Sequence, residues 1–327
     1  MPLTFGEYHL TIKAGARAPT GKKEMNKMNT ILKVNGLTKK YGSKTALNNV
    51  TFTVEKGKIY GFIGENGAGK TTAIRAITGL SEAPEGTIEL FGSNDKKGLI
   101  NARKKMGCLV EHPILSMNDT AQGNLRMQQL LYGHDDEVKI NKTLDRVGLG
   151  DVGKKKVKNF SLGMKQRLGI AMALINDPEI LILDEPVNGL DPMGMVAVRE
   201  LLKSLCNEDG ITIVISSHIL AELYQLVTDY IIISHGEIIE QISKEELDKK
   251  CTSYIVIETE QTEKAVQVLE GCGLKDVELD GETIKIHDNI EQKQVATIMF
   301  NAGLILTQIS RYEKSLEDHY IELLGRK

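Results

Sequence analysis

The run Ile59-Tyr60-Gly61-Phe62-Ile63-Gly64-Glu65-Asn66-Gly67-Ala68-Gly69-Lys70-Thr71-Thr72 decides the fold. Ile59 to Ile63 has the length and apolar content of a buried strand, and the segment Lys70 to Thr78 reads as a helix. Between them, Gly64 to Thr71 satisfies GxxxxGK[ST] at every fixed position, in the strand–loop–helix context that the pattern requires. Glycines let backbone amides turn inward and approach phosphate oxygens closely. The helix N-terminus adds the positive end of its dipole. In such a loop Lys70 reaches the terminal phosphates and the Thr71 hydroxyl ligates magnesium, while Glu65, Asn66, Gly67, Ala68, Gly69 and Thr72 complete the cradle. Alone, the loop says only that phosphate is bound.

Outward from this loop, strand-like runs alternate with helical ones. Ile31 to Val34, Val50 to Val54 and Thr87 to Leu90 read as strands before and after the cradle, with the alternation in Val50–Val54 expected of a half-exposed antiparallel strand. Met106 to Val110 and Ile180 to Leu183 are further strands, separated by a helix-rich stretch from about 120 to 176. A helix from about Met193 to Cys206, a strand Ile211 to Ile215 and a helix Ile219 to Thr228 follow. This order predicts an α/β fold: a mainly parallel sheet covered by helices on both faces. Beyond about residue 245 the texture changes to a βαββαβ order, the ferredoxin-like pattern. Its parts are Ser253–Glu258, a helix Glu263–Leu269, a hairpin Val277–Leu279/Thr283–Ile286 turning at Asp280-Gly281, a helix Gln292–Asn301 and a strand Leu304–Ser310. A helix over Leu316–Leu324 closes the chain. The expected division is a disordered extension over 1–28, a nucleotide-binding unit over 29–244 and an accessory α+β unit over 245–327. Initiation at Met25 or Met28 is as compatible with the pattern as Met1.

The second half of a site stands at the end of Ile180-Leu181-Ile182-Leu183-Asp184-Glu185-Pro186. A buried strand of an open α/β sheet presents its carboxylates at the carboxyl end, where such sheets bind ligands. Asp184 is placed to hold magnesium and Glu185 to orient or deprotonate an attacking water. Ile211-Thr212-Ile213-Val214-Ile215-Ser216-Ser217-His218 is another apolar strand ending in polar residues; from these residues alone His218 is open to a place beside the same phosphate or to the structural role that a lone histidine at a strand end more often has.

Here a resemblance becomes specific. Phe160-Ser161-Leu162-Gly163-Met164-Lys165-Gln166-Arg167 resembles the signature segment of the ABC transporter ATPases. Asn188-Gly189-Leu190-Asp191 is similar to that family's D-loop, His218 falls at its switch histidine, and Tyr41 in Lys39-Lys40-Tyr41-Gly42 at the aromatic residue that stacks on adenine. The resemblance covers residues 31–242. It implies a P-loop NTPase core with antiparallel β and helical subdomains, and an ATP hydrolase using ATP and Mg2+. It also implies a homodimer in which Ser161 and Gly163 of one copy face ATP held by the other's cradle. Motion of that dimer is passed to separate integral membrane permease subunits. The signature departs from the common form at Leu162 and at Met164-Lys165, but the phosphate-facing pair Ser161 and Gly163 is retained.

A second departure narrows the type. Where most of the family carries a glutamine after the strand Met106–Val110, this chain has Glu111, followed by His112-Pro113-Ile114-Leu115. That resembles the bacitracin-resistance and lantibiotic-immunity type, and implies export of an antimicrobial peptide. A carboxylate is a harder ligand for Mg2+ than an amide, so Glu111 joins Thr71 and Asp184 as a candidate metal ligand. Cargo is read by the permease. Export of another drug, lipid or ion therefore stays open from these residues, as does, more remotely, a soluble ABC ATPase outside transport.

Composition is consistent with this reading. With 41% hydrophobic and 26% charged residues the chain reads as an ordinary globular protein. A formal net charge of -3 argues against a dedicated nucleic-acid binder. Cys108, Cys206, Cys251 and Cys272 have no metal-site spacing, which fits a reducing cytoplasm. No apolar run approaches the ~20 residues that cross a bilayer. The expected location is cytoplasmic, at the inner face of the membrane, with membrane contact only through the permease.

Overall fold

The computed structural model describes residues 29–82, 84–250 and 253–313, together with 318, 319 and 321. The extension over 1–28 and most of the closing helix expected over Leu316–Leu324 lie outside the described residues. Along the chain the strands are β1 (Thr30–Tyr41), β2 (Lys44–Glu55), β3 (Ile59–Ile63), β4 (Glu85–Leu90), β5 (Met106–Leu109), β6 (Ile180–Asp184) and β7 (Thr212–Ser217). They continue as β8 (Asp229–Ser234), β9 (Glu237–Ser243), β10 (Ser253–Glu258), β11 (Val277–Asp280), β12 (Thr283–Ile286) and β13 (Gln308–Glu313).

The central sheet runs in the order β5-β6-β7-β3-β8-β9, parallel except for the last pair. Its inner strands are buried on both faces. The period of two therefore divides their side chains between two cores. Ile59, Ile63, Leu181, Leu183, Ile213, Ile215 and Ile232 pack toward the helices Ala121–Leu131, Leu162–Leu174 and Pro192–Asn207. Tyr60, Phe62, Ile180, Ile182, Val214, Ile231 and Ile233 pack toward the helix Lys70–Thr78 and a second sheet of order β2-β1-β4. That second sheet is antiparallel, and its strands β1 and β2 extend well beyond the apolar cores that mark them in the sequence. The core is thus α/β with an antiparallel β layer on one side and helices on the other.

Two elements have no strong apolar signal. Strand β9 returns along β8 after His235 and Gly236, both at positive φ (48° and 81°), as a two-residue hairpin turn needs. The helix Lys96–Arg103 is mostly polar and is started by Asp95, whose carboxylate accepts from the amides of Lys97 and Gly98. Two boundaries differ from expectation. The helix expected over Ile219–Thr228 is only Leu220–Tyr224, because Thr228 is already bonded to Ile59 of β3 through both its amide and its hydroxyl. The last strand begins at Gln308, since Leu304 is buried against the second helix of that unit and its amide bonds Met299.

The third sheet, β11-β12-β10-β13, is antiparallel throughout. With the helices Thr262–Gly271 and Gln292–Asn301 on one face it has the βαββαβ order and strand arrangement of the ferredoxin-like pattern. His319 is buried and its Nε2 lies 2.9 Å from Glu240 Oε2 on β9.

Candidate functional site

Parallel register brings the functional segments together. Ile63 is level with Ser217, Asp184 with Ser216, and Leu109 with Leu183. The loops leaving β3, β6 and β7 therefore open on the same edge, at the carboxyl ends of the strands. There they line an open cleft of about 420 Å3, whose walls include Tyr41, Glu65, Asn66, Gly67, Gly69, Lys70, Thr71, Thr72, Glu185, Asn188 and His218.

The cradle is built as its glycines require. A Cβ at Gly64 would lie 2.4 Å from the carbonyl oxygen of Ile233, so no larger residue fits between the loop and β8. No side chain caps the helix Lys70–Thr78. Its first amides are left for an anion. The Lys70 side chain is 6% exposed, and a buried ammonium needs partners. It donates to the carbonyls of Gly64 at 2.6 Å and Glu65 at 3.2 Å, and lies 3.6 Å from Glu185 Oε1.

Asp184 is buried, and its two oxygens are divided between two hydroxyls. Thr71 Oγ1 donates to one at 2.9 Å and Ser216 Oγ to the other at 2.5 Å. Ser216 also accepts from the Glu185 amide at 2.9 Å. Glu185 itself has φ 51°, in the left-handed region that costs a non-glycine residue energy, and its Oε2 is 2.8 Å from His218 Nδ1. A turn beyond His218, Glu222 is held above the usual carboxylate range. Burial is the main cause, His218 opposes it and the Glu185 charge adds to it. One Glu222 oxygen is buried without a hydrogen-bond partner. Ser216 and Glu222 were not singled out from sequence. The only signal for them is their place within four residues of His218 in the chain.

The Thr71 hydroxyl and Asp184 carboxylate are hard oxygen donors of the kind magnesium takes, one or two from protein and the rest from phosphate and water. Among the described residues no group of three or more His, Cys, Asp or Glu forms a free-standing metal site. The donor set thus fits a cation carried in with a phosphate ligand. Glu111 is not brought to it here. Its carboxylate pairs instead with Arg75 at 2.5 Å, a residue the sequence reading passed over.

Of the remaining candidates, Ser161, Gly163 and Asp191 lie apart from the cleft. Ser161 caps the helix Leu162–Leu174, its hydroxyl accepting from the Met164 amide at 3.2 Å. Gly163 has open space around it, with nothing nearer to a built Cβ than Leu190 Cδ2 at 3.9 Å. Neither lines the cleft of its own chain. Asp191 serves as the cap of the helix Pro192–Asn207, accepting from the Gly194 amide at 2.7 Å. Tyr41 is half exposed at the cleft edge, with the Lys39 ammonium 5.4 Å from its ring centre.

With this geometry in place, comparison with known proteins is decisive. The ABC transporter family matches residues 47–188. The bacitracin transport ATP-binding protein BcrA of Bacillus licheniformis is 42% identical over 302 residues, spanning 91% of this chain and 98% of its own. The chain belongs to the ABC transporter ATP-binding proteins. The lantibiotic transport ATP-binding protein SrtF of Streptococcus pyogenes is another relative of this ABC protein, 43% identical over 70% of this chain and 99% of its own. Among solved structures, cbiO1 of Clostridium perfringens, part of the ABC transporter complex cbiONQ, superposes with a TM-score of 0.61 at 26% identity, covering 74% of this chain and 95% of its own. The ATP-binding cassette MJ0796, solved as a dimer in a post-hydrolysis state bound to ADP and Pi, superposes with a TM-score of 0.59 at 26% identity, covering 65% of this chain and 99% of its own. This ABC protein binds ATP and is an ATP hydrolase. No helix among its described residues is long and apolar enough to cross a membrane.

Proposed function

We propose that two copies of this chain clamp two ATP molecules between them and so drive export of an antimicrobial peptide through separate membrane subunits. One observation carries the dimer: the site is split. Lys70, Thr71, Glu185 and His218 line one cleft, with buried Asp184 bonded to Thr71 beneath it, whereas Ser161, exposed, and Gly163, half-buried, stand outside it with room for a ligand brought by another copy.

In this reading Tyr41 stacks on adenine and the cradle amides bind phosphate. Lys70 leaves the carbonyls of Gly64 and Glu65 to meet the terminal phosphate, and Thr71 with Asp184 holds Mg2+. A magnesium ion there supplies positive charge against the phosphates. Glu185 accepts a proton from the attacking water as its oxygen bonds the γ-phosphorus. The bond from that phosphorus to the β-bridging oxygen then breaks, and ADP and phosphate leave. His218 holds the Glu185 carboxylate in line. Residues 29–244 carry this chemistry and residues 245–327 form an accessory unit.

The peptide cargo is supported by the names of the BcrA and SrtF relatives. Contact with a membrane subunit is supported by an apolar groove of about 690 Å3 beside β5. Its rim exposes Ile114 at 94% and Leu131 at 77%, more apolar surface than a lone soluble chain gains by showing. The test is expression of the chain with its neighbouring membrane subunits in a sensitive host. Wild type should raise tolerance of bacitracin or a lantibiotic, and Lys70→Ala should not. Equal tolerance with both would remove the export reading.

A further inference from the structure

Among the described residues, two buried atoms of charged side chains have no hydrogen-bond partner, and they stand on two helices that touch. One is Oε2 of Glu222, on the short helix Leu220–Tyr224 that follows His218. The other is Nε of Arg199, on the helix Pro192–Asn207 that Asp191 caps. Buried polar groups are nearly always paired, and one left over bears its full desolvation cost. Here the leftovers are an acceptor and a donor of opposite charge.

Arg199 already reaches the face that carries Glu222. Its Nη1 donates to Oε1 of Gln225. Gln225 ends the turn that holds Glu222, three residues earlier, and residues so spaced share one face with Cβ atoms about 5–6 Å apart. Glu200 Oε1 stands 3.5 Å from the Arg199 Nε, but Glu200 is 59% exposed and a weak partner. On its other side Glu222 feels the cleft, where His218 Nδ1 and Glu185 Oε2 are 2.8 Å apart. Beneath the larger effect of burial, His218 eases ionisation of Glu222 and the Glu185 charge opposes it. Beyond the short helix the chain is anchored, since Thr228 bonds Ile59 of β3 through both amide and hydroxyl. Movement of His218 is therefore taken up by the five residues between them that form the helix.

We propose that Glu222 is a positioning residue for His218, and that Arg199 exchanges Gln225 for Glu222 when nucleotide fills the cleft and draws His218 to its terminal phosphate. This rests on the reading of His218 as the residue that holds Glu185 in line. The new pair satisfies both leftover atoms. It also offsets the Glu222 charge that repels the Glu185 carboxylate, and ties the His218 segment to the helix that Asp191 caps.

The test sets steady-state ATP hydrolysis by the full chain beside urea melts of the nucleotide-free chain. Without nucleotide, Glu222→Met should leave the urea midpoint unchanged or raise it, because it replaces an unpaired buried oxygen with apolar surface. The same variant should lower kcat about tenfold, the rate equivalent of a hydrogen bond between charged groups at the low end of its range. KM for ATP should change little, because the pair forms beyond the bound nucleotide. Arg199→Met should slow turnover by a similar factor, and the double variant should be no slower than either single one. Glu222→Gln, which keeps an oxygen acceptor at the same reach, should recover part of the rate. Full activity in Glu222→Met, a urea midpoint that falls along with kcat, or single losses that multiply in the double variant each overturn the proposal. His218→Ala separates the two readings. If it is as fast as the parent, the reading of His218 falls and this inference with it. If it is slow while Glu222→Met is not, this inference alone falls.

Discussion

Glu185 Oε2 lies 2.8 Å from Nδ1 of His218, while Oε1 of the same carboxylate is 3.6 Å from Lys70 Nζ. The carboxylate is thus suspended between a ring that orients it and an ammonium that stabilises its charge. Glu185→Gln keeps the shape and removes the proton acceptor. Turnover should fall by about 10²–10⁴-fold, measured as phosphate release. Binding of a fluorescent ATP analogue should stay within a few fold, because Lys70 and the cradle are untouched. A parallel loss of binding would place Glu185 in ground-state binding instead.

Two glycines should respond oppositely to substitution. At Gly64 a Cβ meets the backbone oxygen of Ile233 at 2.4 Å, so Gly64→Ala must shift the loop or β8. It should cost about 1–3 kcal/mol by overpacking and weaken nucleotide binding. At Gly163 a Cβ meets no other element closer than Leu190 Cδ2 at 3.9 Å. Gly163→Asp should leave thermal stability within about 0.5 kcal/mol, and ATP binding in the chain's own cleft intact. It should abolish ATP-dependent dimers on size exclusion, since the new carboxylate would face the partner's phosphates. Dimers surviving that charge would contradict the two-copy arrangement.

How far the sequence is legible differs between elements for physical reasons. The helix Lys70–Thr78 and strand β3 are readable to the residue, because a glycine loop on one side and a continuous apolar run on the other leave no freedom. Strand β9 and the helix Lys96–Arg103 are not, because one lies at a half-exposed sheet edge and the other buries only Ala102. In the site, Lys70, Thr71, Asp184, Glu185 and His218 are legible because each ends or follows a buried strand. Ser216 and Arg75 are not, because their importance lies in partners 32 and 36 residues away in the chain. The same limit hides the resting place of Glu111.

Alkaline pH should destabilise the core through Tyr60. Burial raises its phenol from 10.0 to about 12, and Asp229 adds to this against the opposing bond from the Glu55 amide. A folded value above the unfolded one means that the folded chain holds the proton more tightly. The stabilisation is fully present below pH 10 and is lost as pH rises through 12, by on the order of 2 kcal/mol. Urea melts between pH 8 and pH 11 should show no loss from this group near pH 8 and a decline beginning near pH 10. Tyr60→Phe, though less stable at neutral pH because the Glu55 amide loses its acceptor, should show a flatter profile over that interval.

Ser216 should matter to metal use although it touches neither nucleotide nor cation in the proposed arrangement. Its hydroxyl donates to Asp184 at 2.5 Å and accepts from the Glu185 amide at 2.9 Å, so one oxygen fixes both acids of the strand end. Removing it leaves a buried carboxylate oxygen and a buried amide each short of a partner, at about 1–3 kcal/mol. Freed of that donor, Asp184 is less well aimed. Outer-shell partners of this kind are worth about 10–100-fold in metal affinity or activity. Ser216→Ala should therefore raise the Mg2+ concentration needed for half-maximal hydrolysis by about that factor, with a smaller effect on maximal rate once Mg2+ saturates. A loss of maximal rate with unchanged Mg2+ dependence would mean that Ser216 acts through the Glu185 amide rather than through Asp184.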